Sequence, residues 1–183
     1  MTEEKAKNPR IATLKNIRLS FTNSLEEAKA TVADGVPKHG CNIILEKDKP
    51  EYEANKAAVI AALEAVGEEK WQNKDKYKII ASKKPDRVQF RKGELYTNGD
   101  GDIYKGYEGN MVVTVYGPGG SKKPQRPKIM DRRKNWIWNP EKGAKNVGEI
   151  LDVCYSGTYA DAKVEFYPSD QGGDGIFTAC HLI

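Results

Sequence analysis

MVVTVYG, residues 111–117, is the stretch on which the fold turns. Three valines and a threonine favour extended backbone, because branched Cβ atoms pack well on a pleated surface. The period of two places Met111, Val113 and Val115 on one face and Val112, Thr114 and Tyr116 on the other. Upstream lies YTNGDGDIYKGYEGN, dense in Gly, Asp and Asn and therefore a turn-rich excursion. Before it, RVQFRK sets Val88 and Phe90 against Arg87, Gln89 and Arg91, a strand with a basic outer face. Downstream, GPGGSKKPQRP cannot hold regular structure through its length.

The same alternation recurs towards both ends of the chain. Ile17, Leu19 and Phe21 alternate with Arg18, Ser20 and Thr22, so all three are expected on the core face of a first strand. CNIILE, residues 41–46, reads as a second strand. KIMDRRKNWIW resumes as strand, and GAKNVGEILDV is short and irregular. YADAKVEFY sets Ala162, Val164 and Phe166 against Lys163, Glu165 and Tyr167, and IFTACHLI closes the sheet after the turn SDQGGDG. Helices interrupt this pattern twice. Ser24 and Glu27 have capping-box spacing before LEEAKATVAD, with Gly35 as a stop. In EYEANKAAVIAALEAV, Tyr52, Val59, Leu63 and Val66 recur at helical spacing, with Gly67 as the stop. The reading is a mainly β fold with helical insertions, an OB-like Greek-key β-barrel rather than a βαβ fold. Residues 1–10 are expected to be a flexible N-terminal tail and residues 11–183 a single domain.

Composition narrows the function. A chain of 183 residues, 38% hydrophobic and 31% charged, is neither disordered nor a membrane protein. No run approaches the roughly 20 apolar residues of a spanning helix. MTEEKAKNPR lacks the apolar centre of a secretory signal, so the protein is expected to stay inside the cell that makes it. Cys41, Cys154 and Cys180 stand in apolar runs and read as buried thiols, and with His39 and His181 they complete no zinc spacing.

The net charge of +4 hides a strong asymmetry. Residues 70–134 hold 17 Lys or Arg against 7 Asp or Glu, whereas the flanks are both net acidic. Such a segment suits a polyanion, because neutralised phosphates release condensed counterions. In residues 121–138, Lys122, Lys123, Arg126, Lys128, Arg132, Arg133 and Lys134 face only Asp131, and Trp136 and Trp138 follow at strand spacing. Cations beside aromatic platforms are the components of a single-strand binder, since every base has a π-face. A second cluster comprises Lys74, Lys76, Lys78, Lys83, Lys84, Arg87, Arg91 and Lys92, with Tyr77 among the lysines. Tyr104, Tyr107 and Tyr116 lie between the two clusters, and Tyr116 is the best placed because it opposes the apolar face of its strand. The binding surface is expected to be one-sided.

Catalytic signatures are missing: there is no GxSxG, Walker A loop, HExxH or kinase set, so the protein is not expected to be an enzyme. Asn98, Asp100 and Asp102 imitate the start of a calcium loop, but Ile103 and Gly109 stand where glycine and glutamate are needed. No metal or cofactor is expected. Two rivals remain, a Mg²⁺-dependent nuclease or recombination enzyme using Asp100, Asp102 and another carboxylate, and a structural assembly protein whose basic segment is an assembly surface.

Several blocks together carry a resemblance: CNIILEKDKP leading to an alanine-rich helix, GDGDIYKGYEGN before MVVTVYG, RPKIMD, and YSGTYADAKVEFYPSDQGGDGIFTACHLI. Over roughly residues 11–183 the chain resembles phage single-stranded DNA-binding proteins with an OB-like fold. The resemblance implies five or more barrel strands with a helical insertion and binding without strong sequence preference. It also implies work in phage replication or recombination, in the cytoplasm of the infected host. Charge alone also permits weak duplex binding. Proteins of that kind commonly finish in an acidic tail that recruits partners, whereas this sequence finishes in HLI, so no replication or recombination partner is assigned.

Overall fold

The computed structural model describes residues 8–30, 35–120 and 122–183. In chain order its elements are β1 (Ile11–Ser20), α1 (Asn23–Glu26), β2 (Gly40–Leu45), α2 (Tyr52–Trp71), α3 (Lys76–Lys83), β3 (Phe90–Lys92) and β4 (Met111–Tyr116). They continue with β5 (Ile129–Met130), β6 (Trp136–Asn139), β7 (Ala144–Lys145), α4 (Ile150–Val153), β8 (Tyr159–Ser169) and β9 (Gly175–Leu182). The protein is mainly β with some helices. Six strands form a sheet in the order β3-β4-β2-β1-β8-β9, every named pair antiparallel. The chain just before β3 meets β9: Val88 bridges Ile176, and the Gln89 amide donates to the Ile176 carbonyl at 3.1 Å. A small sheet, β5-β6-β7, joins the end of β9 through Lys128 and Leu182.

Alternation places the inner faces as expected. Ile43, Val113, Val115, Val164 and Phe166 are fully buried in one core, against which α2 lays Val59, Leu63 and Val66. Midway along β1 the pairing with β8 shifts between Leu14 and Ile17, where Asn16 has φ 48°. Asn55 of α2 clasps this bulge: its Oδ1 accepts from the Lys15 amide and its Nδ2 donates to the Lys15 carbonyl. The bulge bends β1, so that Arg18 pairs with Tyr159 of β8 on one side and Ile44 of β2 on the other.

Five local expectations are corrected. Helix α2 runs past Gly67 to Trp71 and ends at Gln72, whose φ is 52°. Gly67 is required for another reason, since a Cβ there would lie 2.5 Å from the Asn73 carbonyl oxygen, where the chain folds back and Asn73 donates to Gly67. The lysine-rich run after it contains a second helix, α3, that periodicity did not reveal. KIMDRRKNWIW is a hairpin rather than one strand: Asp131 accepts from the amides of Arg133 and Asn135 and turns the chain between β5 and β6. Helix α1 is one turn without a side-chain cap, and residues 31–34 of the expected helix lie outside the described residues.

The fifth correction concerns Phe21. Its φ of 54° breaks the alternation at the end of β1, so Phe21 is 47% exposed while Thr22 takes the inward place at 1%. Of the expected N-terminal tail, residues 1–7 lie outside the described residues, whereas residues 8–10 are tied to the sheet. The Phe166 amide donates to the Arg10 carbonyl, and the Arg10 guanidinium pairs with Glu165.

Candidate nucleic-acid interface

The loop from 93 to 110 folds back over the outer face of β2 and β4 and builds a second, smaller core there. Tyr107 plugs it, 1% exposed, against Ile44 and Val112, with Tyr96 and Tyr104 packed around. The close return of the loop demands Gly93, where a Cβ would collide with the Tyr107 backbone. A polar chain runs beneath the rings. Asn42 Nδ2 donates to the Tyr107 hydroxyl at 2.9 Å, and Thr114 donates to Asn42 Oδ1 at 2.9 Å. The Tyr96 hydroxyl lies 2.8 Å from Thr114 Oγ1, and Arg91 Nε donates to Tyr96 at 3.1 Å. Each buried polar group in this chain is thereby satisfied, which fixes the rings above it. Burial pushes the Tyr107 phenol up from its ordinary pKa, so it stays a neutral hydrogen-bonding group at physiological pH.

On this base stands an aromatic platform. Phe21 meets Tyr104 edge to face at 4.8 Å between ring centres and Tyr107 at 6.2 Å, and Tyr96 lies 5.3 Å from Tyr107. The Arg91 guanidinium sits 4.6 Å over the Tyr96 ring. Arg18 packs against Gly106, which has φ 83° and leaves it room, and pairs with Glu46 at 3.1 Å. Glu46 in turn accepts from the Tyr159 hydroxyl at 2.6 Å. A second group of rings, Tyr167 and Phe177, spans β8 and β9 at 6.3 Å. Burial and the neighbouring Tyr116 push the Tyr167 phenol up, and Lys38 lies 5.2 Å over the Tyr116 ring.

The structure separates the expected site residues into three groups. Tyr104, Tyr116 and Arg91 lie half-exposed on or beside β4 and its loop, as a binding surface requires. A second group has structural partners. Lys76 pairs with Asp174 and covers Trp71, Lys78 pairs with Asp75, and Lys128 pairs with Glu141. Arg87 stacks on Phe177 and donates to the carbonyls of Gln171 and Gly173. Arg126 lies 4.1 Å over Trp138 and donates to the carbonyls of Leu25 and Glu26, closing α1. Tyr77 and Trp138 pack against the core, and Tyr107 lies inside its own small core rather than on the surface. The third group is exposed but dispersed. Lys83 and Lys84 end α3, Lys122 and Lys123 lie in the loop after β4, and Arg132, Arg133 and Lys134 form the β5–β6 hairpin tip, with Trp136 half-buried beside it. The basic segment is therefore spread over several parts of the surface instead of one side, because its 65 residues run through the end of α2, through α3 and through the three strands β3, β4 and β5.

Sequence reading missed Phe21 and Tyr96. For Tyr96 a signal existed, an unusual density of tyrosines in an otherwise polar loop; for Phe21 the alternation pointed the wrong way. Among the described residues no group of three His, Cys, Asp or Glu is placed to hold a metal, and the amides of Asp100 and Asp102 are both taken by Asn98 Oδ1.

Partly exposed rings beside guanidinium groups on the outside of a sheet have the chemistry that stacks on nucleic-acid bases, the mark of a nucleic-acid-binding class of protein. The chain belongs to the family described as the ssDNA-binding protein of Enterobacter phage Enc34, whose profile matches residues 10–182. It is also similar to protein p50 of Acyrthosiphon pisum secondary endosymbiont phage 1, with 29% identity over 165 residues, covering 89% of this chain and 76% of that one. Among solved structures, the bacteriophage Enc34 single-stranded DNA-binding protein in complex with ssDNA matches with a TM-score of 0.69 at 14% identity, over 99% of this chain and 94% of that one. A second structure of the bacteriophage Enc34 single-stranded DNA-binding protein matches with a TM-score of 0.67 at 16% identity, over 94% of this chain and 78% of that one.

Proposed function

We propose that this protein coats single-stranded DNA without strong sequence preference during phage replication or recombination, in the cytoplasm of the infected host, and does so without catalysis. The observation that carries the reading is Phe21, a large ring turned outward by a left-handed backbone and seated on Tyr104 and Tyr107, with Arg91 beside the same cluster. Bases stack on Phe21 and Tyr104 while Arg91 and neighbouring cations follow the phosphates. Family membership supports the same reading.

In this reading residues 11–183 are one OB-like Greek-key domain. The strands run β1-β2-β4-β9-β8 around a barrel, and α2 and α3 are inserted between β2 and β4. The hydrogen bond from Thr178 Oγ1 to the Thr114 carbonyl, 2.8 Å, supports closure between β4 and β9, and the Val88–Ile176 bridge just before β3 supports it at the edge of the sheet. The platform then occupies the outer face of the barrel, where a flexible strand can lie across β2 and β4.

Fluorescence anisotropy with labelled oligothymidine and with a blunt duplex of equal length, both at moderate salt, tests the function. Single strands should bind more tightly, with affinity falling as salt rises. Equal affinity for the two would overturn the single-strand reading.

A further inference from the structure

A cleft of about 830 Å³ opens on the part of the molecule bounded by β1, β8 and the β5–β6 hairpin. Its floor includes Cys154, Ala160 and Ile183, and its walls carry Tyr155, Arg132, Arg133 and Lys163. The volume falls within the roughly 300–1,000 Å³ typical of sites for small ligands. Acidic residues also line it, but most of them are engaged. Asp161 pairs with Lys15 at 2.6 Å and Asp131 is spent on the hairpin turn, which leaves Asp152. The side chains of Arg132, Arg133 and Lys163 make no ion pair among the described residues and are exposed. An apolar floor beneath three uncommitted cations complements a nucleobase joined to phosphates.

The cleft is also linked to the aromatic platform through the backbone of two turns. Tyr155, 54% exposed, begins a turn that is bonded directly to the turn carrying Phe21. Gly157 donates to the Leu19 carbonyl at 2.7 Å, Leu19 donates to the Thr158 carbonyl at 2.9 Å, and the Thr22 amide donates to Ser156 Oγ at 3.3 Å. Two outward aromatic residues thus stand on two turns locked together, one at the platform and one at the cleft mouth.

We propose that the cleft is a second DNA subsite, in which the strand leaving the Phe21 platform passes Tyr155 and places further nucleotides between the hairpin tip and β8. Tyr155 stacks on a base, and Arg132, Arg133 and Lys163 hold phosphates. This rests on the single-strand reading above, and it assigns the hairpin arginines to a place along the strand rather than to a diffuse basic surface.

Anisotropy titrations of the full chain with oligothymidines of increasing length test it, comparing the wild type with Tyr155→Ala and with the double variant Arg132→Glu, Arg133→Glu. For strands only long enough to cover the platform, all three proteins should bind alike. For longer strands the wild type should gain affinity, and both variants should lose that gain, by about tenfold or more for Tyr155→Ala if its ring stacks on one base. Loss of two phosphate contacts should also flatten the salt dependence of the double variant by about 1.4 in log–log slope. Unchanged length dependence and salt slope in both variants would overturn the subsite while leaving the platform intact. Failure of the wild type to bind any single strand would overturn the functional reading as well. A labelled glutamate-rich peptide that binds the wild type, is lost in the double variant and does not compete with oligothymidine would give the cleft to an acidic peptide instead.

Discussion

Arg91 and Arg126 make the same kind of contact in two regions of the molecule, and to opposite ends. Each guanidinium lies over an aromatic ring, Arg91 at 4.6 Å from the centre of Tyr96 and Arg126 at 4.1 Å from that of Trp138. Arg126 spends Nε and Nη2 on the carbonyls of Leu25 and Glu26, at 2.6 and 2.7 Å, and burial lowers its pKa from the ordinary value. Arg91 commits Nε to the Tyr96 hydroxyl, and the rings next to it face outward. A cation beside an aromatic ring is therefore a tertiary brace in one place and half of a candidate ligand surface in the other. The difference lies in whether backbone carbonyls compete for the guanidinium.

The largest expected effect breaks the brace. Arg126→Ala should cost about 2–3 kcal/mol of stability, since it removes charge-assisted hydrogen bonds to two half-buried carbonyls and the packing on Trp138. Urea denaturation measures this, and the DNA affinity of the folded variant should not change. A binding loss without a stability loss would reverse the comparison and make Arg126 a contact residue.

Phe21→Gly sharpens the other side. Lost stacking should weaken oligothymidine binding by about tenfold or more. Stability should change by less than about 1 kcal/mol, because relief of the left-handed backbone at φ 54° offsets the lost ring contacts. Binding equal to wild type in the anisotropy assay would remove Phe21 from the interface.

Tyr107→Phe has the smallest expected effect, a loss of about 1 kcal/mol measured by thermal or urea unfolding. It leaves the buried Asn42 Nδ2 without its acceptor while keeping the ring in place. Affinity should fall only slightly, through looser positioning of Tyr96 and Tyr104; a loss as large as that of Phe21→Gly would show that the ring chain itself touches DNA.

Much of the strand architecture was legible because burial on one face imposes a period of two that no other structure satisfies. Met111 to Tyr116 and Ala162 to Phe166 have the faces that alternation assigns them. Periodicity failed where a single residue left the regular backbone. Phe21 turns outward by one dihedral angle, and no property of its neighbours in sequence announces it. The lysine-rich α3 was hidden for a different reason: only Ile80 of its eight residues is buried, so it lacks a broad apolar stripe.

By itself the sequence determined that the chain makes a mainly β protein, that α2 covers its core, and that the residues between 70 and 134 carry an excess of positive charge. Those are local properties, set by side-chain volume, alternation and ionisation. Which cations stay available was decided only by tertiary structure. Lys76, Arg87 and Arg126 are drawn to carboxylates and carbonyls contributed by segments far along the chain, at Asp174, Gln171 and Leu25. Charge counts follow from the chain alone, but a partner for each charge exists only once distant segments have met.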